Sequence, residues 1–162
     1  MRAITTADTA SEMVRSTTST GLRVAARGLK LYARGLELYD AGNVDGPDEV
    51  FAADVIDHSP ATDAASGIDG MRASIAAVRD GFTDTQHRIL FQQELPGGWA
   101  VLHWRMTATH TGDAFGFPAS GNPVDINGQD IMRVVDGKIT EIHHVEELLK
   151  LTQQISGGAH SA

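Results

Sequence analysis

The chain has 162 residues, of which 41% are apolar and 21% charged, with a net charge of -8 and no cysteine. This length and balance are typical of one folded domain and exclude an intrinsically disordered chain. The excess of Asp and Glu, 21 against 13 Lys and Arg, argues against nucleic acid and anionic membranes as partners. The lack of cysteine excludes disulfides and thiolate chemistry, and it favours a cytoplasmic location.

Residues 1–20 are interpreted as a flexible polar arm. Nine of them are Ser or Thr, and their apolar stretches are too short for a signal-peptide core. No segment approaches the ~20 apolar residues that span a bilayer. Residues 21–158 contain no internal repeat and no linker, so we assign them to a single domain.

Two helices are predicted in the N-terminal half. Apolar residues at steps of three and four, the spacing of one helix face, extend over 22–39, and Gly42 takes the position of a C-terminal cap. A short apolar stretch at 50–56 is followed by Pro60, which ends it. The helical spacing returns over 68–78. These patterns place the helices before any long strand.

The second half has the pattern of long strands, because apolar and polar residues alternate there. The alternating segments are 85–92, 99–111, 124–135 and 138–146. Asp136-Gly137 is a hairpin signal between the last two, and residues 148–155 form a short terminal helix. This order predicts an α+β fold, with a curved antiparallel sheet wrapped around the N-terminal helices. The hollow between sheet and helices is the expected place for a small-molecule site.

The last hairpin carries the most informative pair of residues. A three-residue loop at 135–137 would place Asp130 diagonal to His144, whereas a two-residue turn would place it opposite His143. On the hollow side, the carboxylate would orient the imidazole and the imidazole would move a proton. On a solvated side, the same residues would form an ordinary ion pair between strands.

The seven histidines raise the question of a metal site. His143 and His144 are adjacent on a predicted strand, so they point to opposite faces and cannot bind one ion together. The sequence also lacks the usual zinc and nucleophilic-serine motifs. We therefore predict no metal site and assign no role to His87, His103 and His160.

Further side chains are predicted to bind the substrate. His110 ends the apolar face of its strand, and the alternative for it is an ordinary loop contact. His58 follows a short apolar stretch, and the alternative for it is a capping role. For the bulky side chains, the alternative is packing in the core. The predicted substrate-binding set is His58, His110, Trp104, Met106, Tyr39, Phe115, Phe117 and Ile142.

A series of short motifs resembles the SnoaL-like polyketide cyclases, which have the cystatin-like, nuclear transport factor 2-like cone fold. The motifs, spread over about residues 30–157, are Val55–His58, Gly67–Gly70, His110–Gly112, Gly116–Gly121, Gly128–Arg133, Asp136–Glu141 and Leu149–Ile155. The resemblance implies a cone-shaped apolar pocket, no metal and no organic cofactor. It also implies intramolecular aldol cyclisation of a hydrophobic polyketide ester, as in antibiotic biosynthesis, begun by a carboxylate that removes a C–H proton.

Two positions depart from the family pattern. Members commonly have Glu-His-Trp-Asp where residues 141–144 are Glu-Ile-His-His, so the catalytic Asp matches His144. The paired position, often His in the cyclases, is Asp130. The two residue types are thus exchanged between the strands. We expect His144 to be the general base, Asp130 to orient it, and His58 and His110 to hold the carbonyl group.

Other functions are compatible with the same fold. Its epoxide hydrolases use an Asp-Arg-Asp set, which Arg105 and Asp130 could begin, although the second carboxylate is missing from the expected place. Some relatives take part in polyketide hydroxylation. A non-catalytic dimer that binds a hydrophobic ligand is the third possibility. The fold often associates through its open sheet face, so we expect a homodimer or homotetramer with His103, Arg105, Thr107 and Thr109 at the contact.

Overall fold

The computed structural model describes residues 28–60 and 65–157, and within them an α+β fold, as predicted. The first helix, α1, covers 28–40 in the described part. The later elements are α2 (Pro47–Val50), β1 (Phe51–Asp57), α3 (Gly67–Gly81), β2 (Phe82–Leu95), β3 (Trp99–His110), β4 (Pro123–Val135), β5 (Lys138–Glu146) and α4 (Leu148–Ile155). The predicted polar arm at 1–20 lies outside the described residues. None of the helices in the described part is long and apolar enough to cross a membrane.

The five strands form one sheet in the order β1-β5-β4-β3-β2. The pairs from β2 to β5 are antiparallel, as predicted. β1 instead pairs with β5 in parallel, so the sheet is mixed. Helix α3 packs against β1 and β2, and α4 packs against β4. The helices therefore cover one side of the sheet, which we call the inner face.

The inner face is set by the alternation along β3. Leu102, Trp104 and His110 are among the even-numbered residues that this strand buries, while its odd-numbered residues are half-buried or, at Arg105, exposed. Burial of one face fixes which side chains point inward, because a slip of one residue would expose all of them. Tyr32 of α1 completes the core, and its hydroxyl donates a hydrogen bond to the Met132 carbonyl at 3.1 Å.

The last hairpin combines a two-residue turn with a bulge. Val135 pairs with Lys138 around Asp136-Gly137, whose φ angles of 49° and 78° are those of a type I′ turn. The register then shifts between Arg133 and Val134, so that Thr140 is an extra residue on β5. As a result Asp130 pairs directly with His144, not with His143 as the two-residue turn alone would require.

Gly128 is needed for the packing of the inner face. It pairs with Trp104 across β3 and β4. A Cβ atom at this position would lie 2.1 Å from Cζ2 of the indole ring. Any residue other than glycine would therefore push the Trp104 ring out of its place against the strand.

Candidate active site

Asp130 is a buried carboxylate on the inner face. Asp130 is only 7% exposed, and the Trp104 Nε1–H donates a hydrogen bond to Asp130 Oδ2 at 2.8 Å. Burial raises the pKa of Asp130 to about 6, although the bond from Trp104 and the nearby His144 act in the opposite direction. No described residue donates a hydrogen bond to the second oxygen, Oδ1. Asp130 is thus largely ionised at neutral pH and has an oxygen that can accept a proton.

His144 lies opposite Asp130, but the hydrogen bonds of its ring go to other carboxylates. Its Nδ1 is 2.7 Å from Glu146 Oε1, and its Nε2 is 3.1 Å from Asp57 Oδ1. An ionised carboxylate only accepts hydrogen bonds, so both ring nitrogens must carry protons. The bonds to Asp57 and Glu146 raise the pKa of His144 to about 10. His144 is therefore a fixed cation at neutral pH.

This charge state does not suit the role of general base that was predicted for His144 from the sequence. A general base needs a lone pair at a ring nitrogen, and His144 has both nitrogens protonated. Asp130 does not orient His144 either, since no hydrogen bond joins these two described side chains. The expected assignment of His144 as the base is at odds with its surroundings, which favour Asp130 as the base and His144 as the neighbouring positive charge.

The sequence reasoning missed Asp57 and Glu146. Burial alone would raise the pKa of Asp57, but hydrogen bonds from His144 and from the Ser59 amide outweigh it, and the pKa is lowered. Glu146 lies two residues after His144 on the same strand, so its side chain shares the same face. That spacing was a usable signal for Glu146. No such signal in the sequence indicated Asp57, because its position depends on the parallel pairing of β1 with β5.

His87, to which we assigned no role, is a second buried imidazole. Its side chain is 5% exposed, which contradicts its interpretation as a surface residue. Asp40 at the end of α1 holds it, with Oδ1 2.6 Å from His87 Nδ1 and 2.9 Å from the His87 amide nitrogen. The His87 ring packs edge-on against Trp104, with ring centroids 5.0 Å apart. Asp40, His87 and Trp104 thus form a chain of contacts that ends at Asp130.

Four of the predicted substrate-binding residues are placed on the inner side. Trp104 and Met106 are buried on β3, and Ile142 is buried on β5 two residues before His144. Tyr39 of α1 donates a hydrogen bond from its hydroxyl to Ser74 Oγ at 3.1 Å. Burial raises the pKa of Tyr39 to about 12, with further contributions from nearby carboxylates that include Asp130. These side chains give the carboxylate a largely apolar environment.

His110 and the two phenylalanines lie elsewhere, which corrects their predicted role. His110 is fully buried at the far end of β3, roughly 20 Å along the strand from Trp104. Its Nδ1 is 2.9 Å from Ser120 Oγ, so the alternative of a loop contact is the one observed. Phe115 is exposed in the same loop, and Phe117 lines a depression of about 320 Å³ beside Ser120.

His58 and Arg105 lie on the outer face of the sheet, so neither can act beside Asp130. The His58 ring stacks on His143. Arg105 pairs with Asp125 instead of with Asp130. The Asp-Arg-Asp set expected for an epoxide hydrolase is therefore not assembled from Arg105 and Asp130.

His144, Asp57 and Glu146 form a partly exposed polar edge next to Asp130. Their side chains are 25%, 18% and 23% exposed, whereas Asp130 and Trp104 beneath them are nearly enclosed. Two depressions lined by described residues, of about 320 and 300 Å³, do not include Asp130. The open cone-shaped pocket thus stays a prediction.

The fold and the site together define a small α+β protein with a buried carboxylate beside a carboxylate-bound histidine on the inner face of a curved sheet. A family model described as SnoaL-like polyketide cyclase matches residues 29–155, so the chain belongs to that family, as its motifs predicted. No curated protein gives a match. The structural similarities extend over most of the chain.

Three solved structures illustrate this similarity. TsrD from Streptomyces laurentii is 25% identical, with a TM-score of 0.74 over 83% of this chain and 97% of TsrD. A candidate SnoaL-like polyketide cyclase from Jannaschia sp. CCS1 is also 25% identical, with a TM-score of 0.68 over 83% of this chain and 94% of the other. AclR, a candidate hydroxylase from Streptomyces galilaeus, is 21% identical, with a TM-score of 0.70 over 81% and 82%. The last similarity concerns the fold alone.

Proposed function

We propose that this protein catalyses the intramolecular aldol-type cyclisation of an apolar, polyketide-like substrate without a cofactor, with Asp130 as the general base. The observation that carries the proposal is the buried Asp130 carboxylate next to the fixed His144 cation. A base with a pKa of about 6 is ionised at neutral pH and still accepts a proton readily. Membership in the cyclase family supports the reaction class.

The reaction begins with proton transfer to Asp130 Oδ1 from a carbon next to a carbonyl group. The C–H electron pair forms the enolate, whose negative charge develops on the carbonyl oxygen. The positive charge of His144 stabilises that oxygen in a site of low dielectric constant. The enolate carbon then bonds to a second carbonyl carbon, and the new alkoxide takes the proton back from Asp130. Substrate and product are isomers, so protons and electrons balance.

The surrounding residues hold the two charged groups in place. Asp57 and Glu146 keep His144 protonated and fix the orientation of its ring. Asp40, through His87, supports the Trp104 indole that bonds one oxygen of Asp130. In this proposal Asp40 and His87 are positioning residues, since the reacting atoms would contact Asp130 and His144.

Deuterium exchange tests the first step directly. The full chain is incubated in D₂O with an aromatic β-keto ester, and loss of the acidic C–H signal is followed by proton NMR. We expect catalysed exchange by the wild type and a decrease of roughly 10²–10⁴-fold for Asp130→Asn. His103→Ala, on the outer face, is the matched control and should leave the rate unchanged. Equal exchange by the wild type and Asp130→Asn would remove Asp130 as the base.

A ligand-binding protein without catalysis makes a different prediction. It would bind the β-keto ester, as followed by tryptophan fluorescence, but would not accelerate exchange in the wild type. A catalyst of the proposed kind should retain binding in Asp130→Asn while it loses exchange. Measuring both quantities on the same variants therefore distinguishes the two functions.

Self-association and a cytoplasmic location remain predictions. The outer face exposes apolar side chains on three strands, Phe91, Ile131 and Val145, at 54%, 43% and 65%. A second copy of the chain would cover such a face. Sedimentation equilibrium of the wild type and Ile131→Glu should show a dimer or tetramer that the substitution dissociates.

A further inference from the structure

A second cluster of chemically active side chains lies on the outer face, away from Asp130. His58 follows β1 directly, and Glu141 and His143 are two residues apart on β5. The His58 amide donates a hydrogen bond to the Ile142 carbonyl at 2.9 Å, which continues the parallel pairing one residue beyond β1. This bond fixes the backbone of His58 beside the residue that separates Glu141 from His143, so the three side chains meet on one face.

The donor atoms of these residues are close enough for one metal ion. One donor atom from each residue lies within 4.8 Å of the others. His58 Nε2 is 3.4 Å from Glu141 Oε2. Ligand atoms of a tetrahedral zinc ion, bound at about 2.0–2.2 Å, are ~3.4 Å apart. That pair of atoms therefore already has the separation that a shared zinc ion requires.

The two imidazole rings need one rotation to converge on an ion. Their centroids are 4.0 Å apart and their planes differ by 2°, so their lone pairs lie in two parallel planes and do not meet at one point. The His58 side chain is 37% exposed and can turn without displacing core residues. Turning it out of the stack is the rearrangement that binding of one ion by both rings would require.

Glu141 is held in an orientation that suits a ligand. Its Oε1 accepts a hydrogen bond from Arg133 Nη1 at 2.8 Å, which leaves Oε2 toward the imidazoles. Arg133 also lies over the Trp99 ring, 5.8 Å from its centroid. Such outer contacts commonly orient ligands around a metal. Arg133 holds the pKa of Glu141 below its usual range, so the carboxylate is ionised at neutral pH. The positive charge of Arg133, on the other hand, opposes the binding of a cation.

We propose that His58, Glu141 and His143 form a surface binding site for a divalent transition-metal ion such as Zn²⁺. Two imidazole nitrogens and one carboxylate oxygen suit zinc, nickel and copper, whereas Mg²⁺ and Ca²⁺ prefer oxygen ligands. This site departs from the prediction of no metal site, which depended on the adjacent pair His143 and His144 and on the lack of the usual zinc motifs. A bound ion would link β1, at the edge of the sheet, to β5.

Isothermal titration of the full chain, with any affinity tag removed, tests the proposal with Zn²⁺ as the probe and Mg²⁺ as the comparison. We expect one Zn²⁺ per chain, no binding of Mg²⁺, and a rise in the thermal midpoint with zinc. His58→Ala and His143→Ala should each weaken zinc binding roughly tenfold or more. Glu141→Gln, which keeps the size of the side chain, should also weaken it.

The matched control is His103→Ala, an outer-face histidine outside the cluster, which should bind zinc as the wild type does. Circular dichroism of each variant verifies that it is folded. The proposal is overturned if the wild type does not bind zinc, or if binding survives both His58→Ala and His143→Ala. It is also overturned if zinc binding is lost in His144→Ala or His160→Ala instead. None of these results depends on catalytic activity.

Discussion

Replacing Asp130 by Asn should remove activity and at the same time stabilise the protein at alkaline pH. Burial raises the pKa of Asp130 from 3.8 to about 6. A shift of two units corresponds to about 3 kcal/mol of differential interaction between the two protonation states. The folded state binds the proton of Asp130 more tightly than the unfolded state does, so protonation of Asp130 stabilises the folded state. This stabilisation is full below the unfolded pKa of 3.8 and is lost as the pH rises through about 6. At neutral pH and above, the buried charge therefore lowers the free energy of unfolding.

Asn is neutral at every pH and can still accept the hydrogen bond from Trp104. Its NH₂ group needs a partner of its own, and leaving it without one costs about 1–2 kcal/mol. We therefore expect the variant to be about 1–2 kcal/mol more stable than the wild type near pH 8 and less stable near pH 4. The difference between the two pH values should be about 2.5 kcal/mol whatever the amide costs, because pH 4 lies just above the unfolded pKa of 3.8 and a small part of the stabilisation is already lost there.

Urea denaturation followed by circular dichroism measures this difference, and deuterium exchange on the same samples measures activity. Asp125→Asn, at an exposed carboxylate on the outer face, is the control and should show no gain near pH 8. If Asp130→Asn shifted the free energy of unfolding equally at both pH values, the burial argument would be wrong. If it also retained exchange activity, Asp130 would have no part in proton transfer.

Further predictions concern the groups around Asp130. Trp104→Phe removes a hydrogen bond that lowers the pKa of Asp130, so the acid limb of the pH–rate profile should move upward by about one unit; an unchanged profile would contradict this. Gly128→Ala places a methyl group against Trp104 and should destabilise the protein by about 1–3 kcal/mol in urea denaturation, with loss of activity. In the wild type, protonated His144 adds to the free energy of unfolding. This contribution is full below the unfolded pKa of 6.5 and is lost as the pH rises through about 10. His144→Gln should therefore show a smaller decline of stability between neutral and alkaline pH, and an equal decline would exclude that linkage.

The sequence was sufficient for the parts of the fold that depend on local periodicity. Alternation over 99–111 predicted which residues of β3 point inward, because one buried face constrains every second residue. The hairpin register was harder to predict. Asp136-Gly137 marked the position of the turn, but the sequence left open whether the loop has two or three residues. No glycine or proline marks the bulge at Thr140, and the bulge decides which histidine faces Asp130.

The site was predictable only where its members share a hairpin. Asp130 lies on the strand that pairs with the strand of His143 and His144, so a contact between its carboxylate and one of the two imidazoles followed from either turn. The ion pairs that determine the charge of His144 and the burial of His87 involve Asp57 and Asp40, which are distant in sequence. Such contacts depend on how β1 and α1 pack, and no local pattern encodes that packing. The roles proposed above for Asp130 and His144 depend on these contacts.

The extra residue in β5 also affects how this chain can be aligned with others. The imidazoles of His143 and His144 lie on opposite sides of β5, and the extra residue Thr140 determines which of the two points inward. An alignment that moves a gap by one place near Thr140 would exchange His143 for His144 and assign the wrong one to the interior. Deleting Thr140 should do the same physically, so this hairpin tolerates substitution more readily than a change in length.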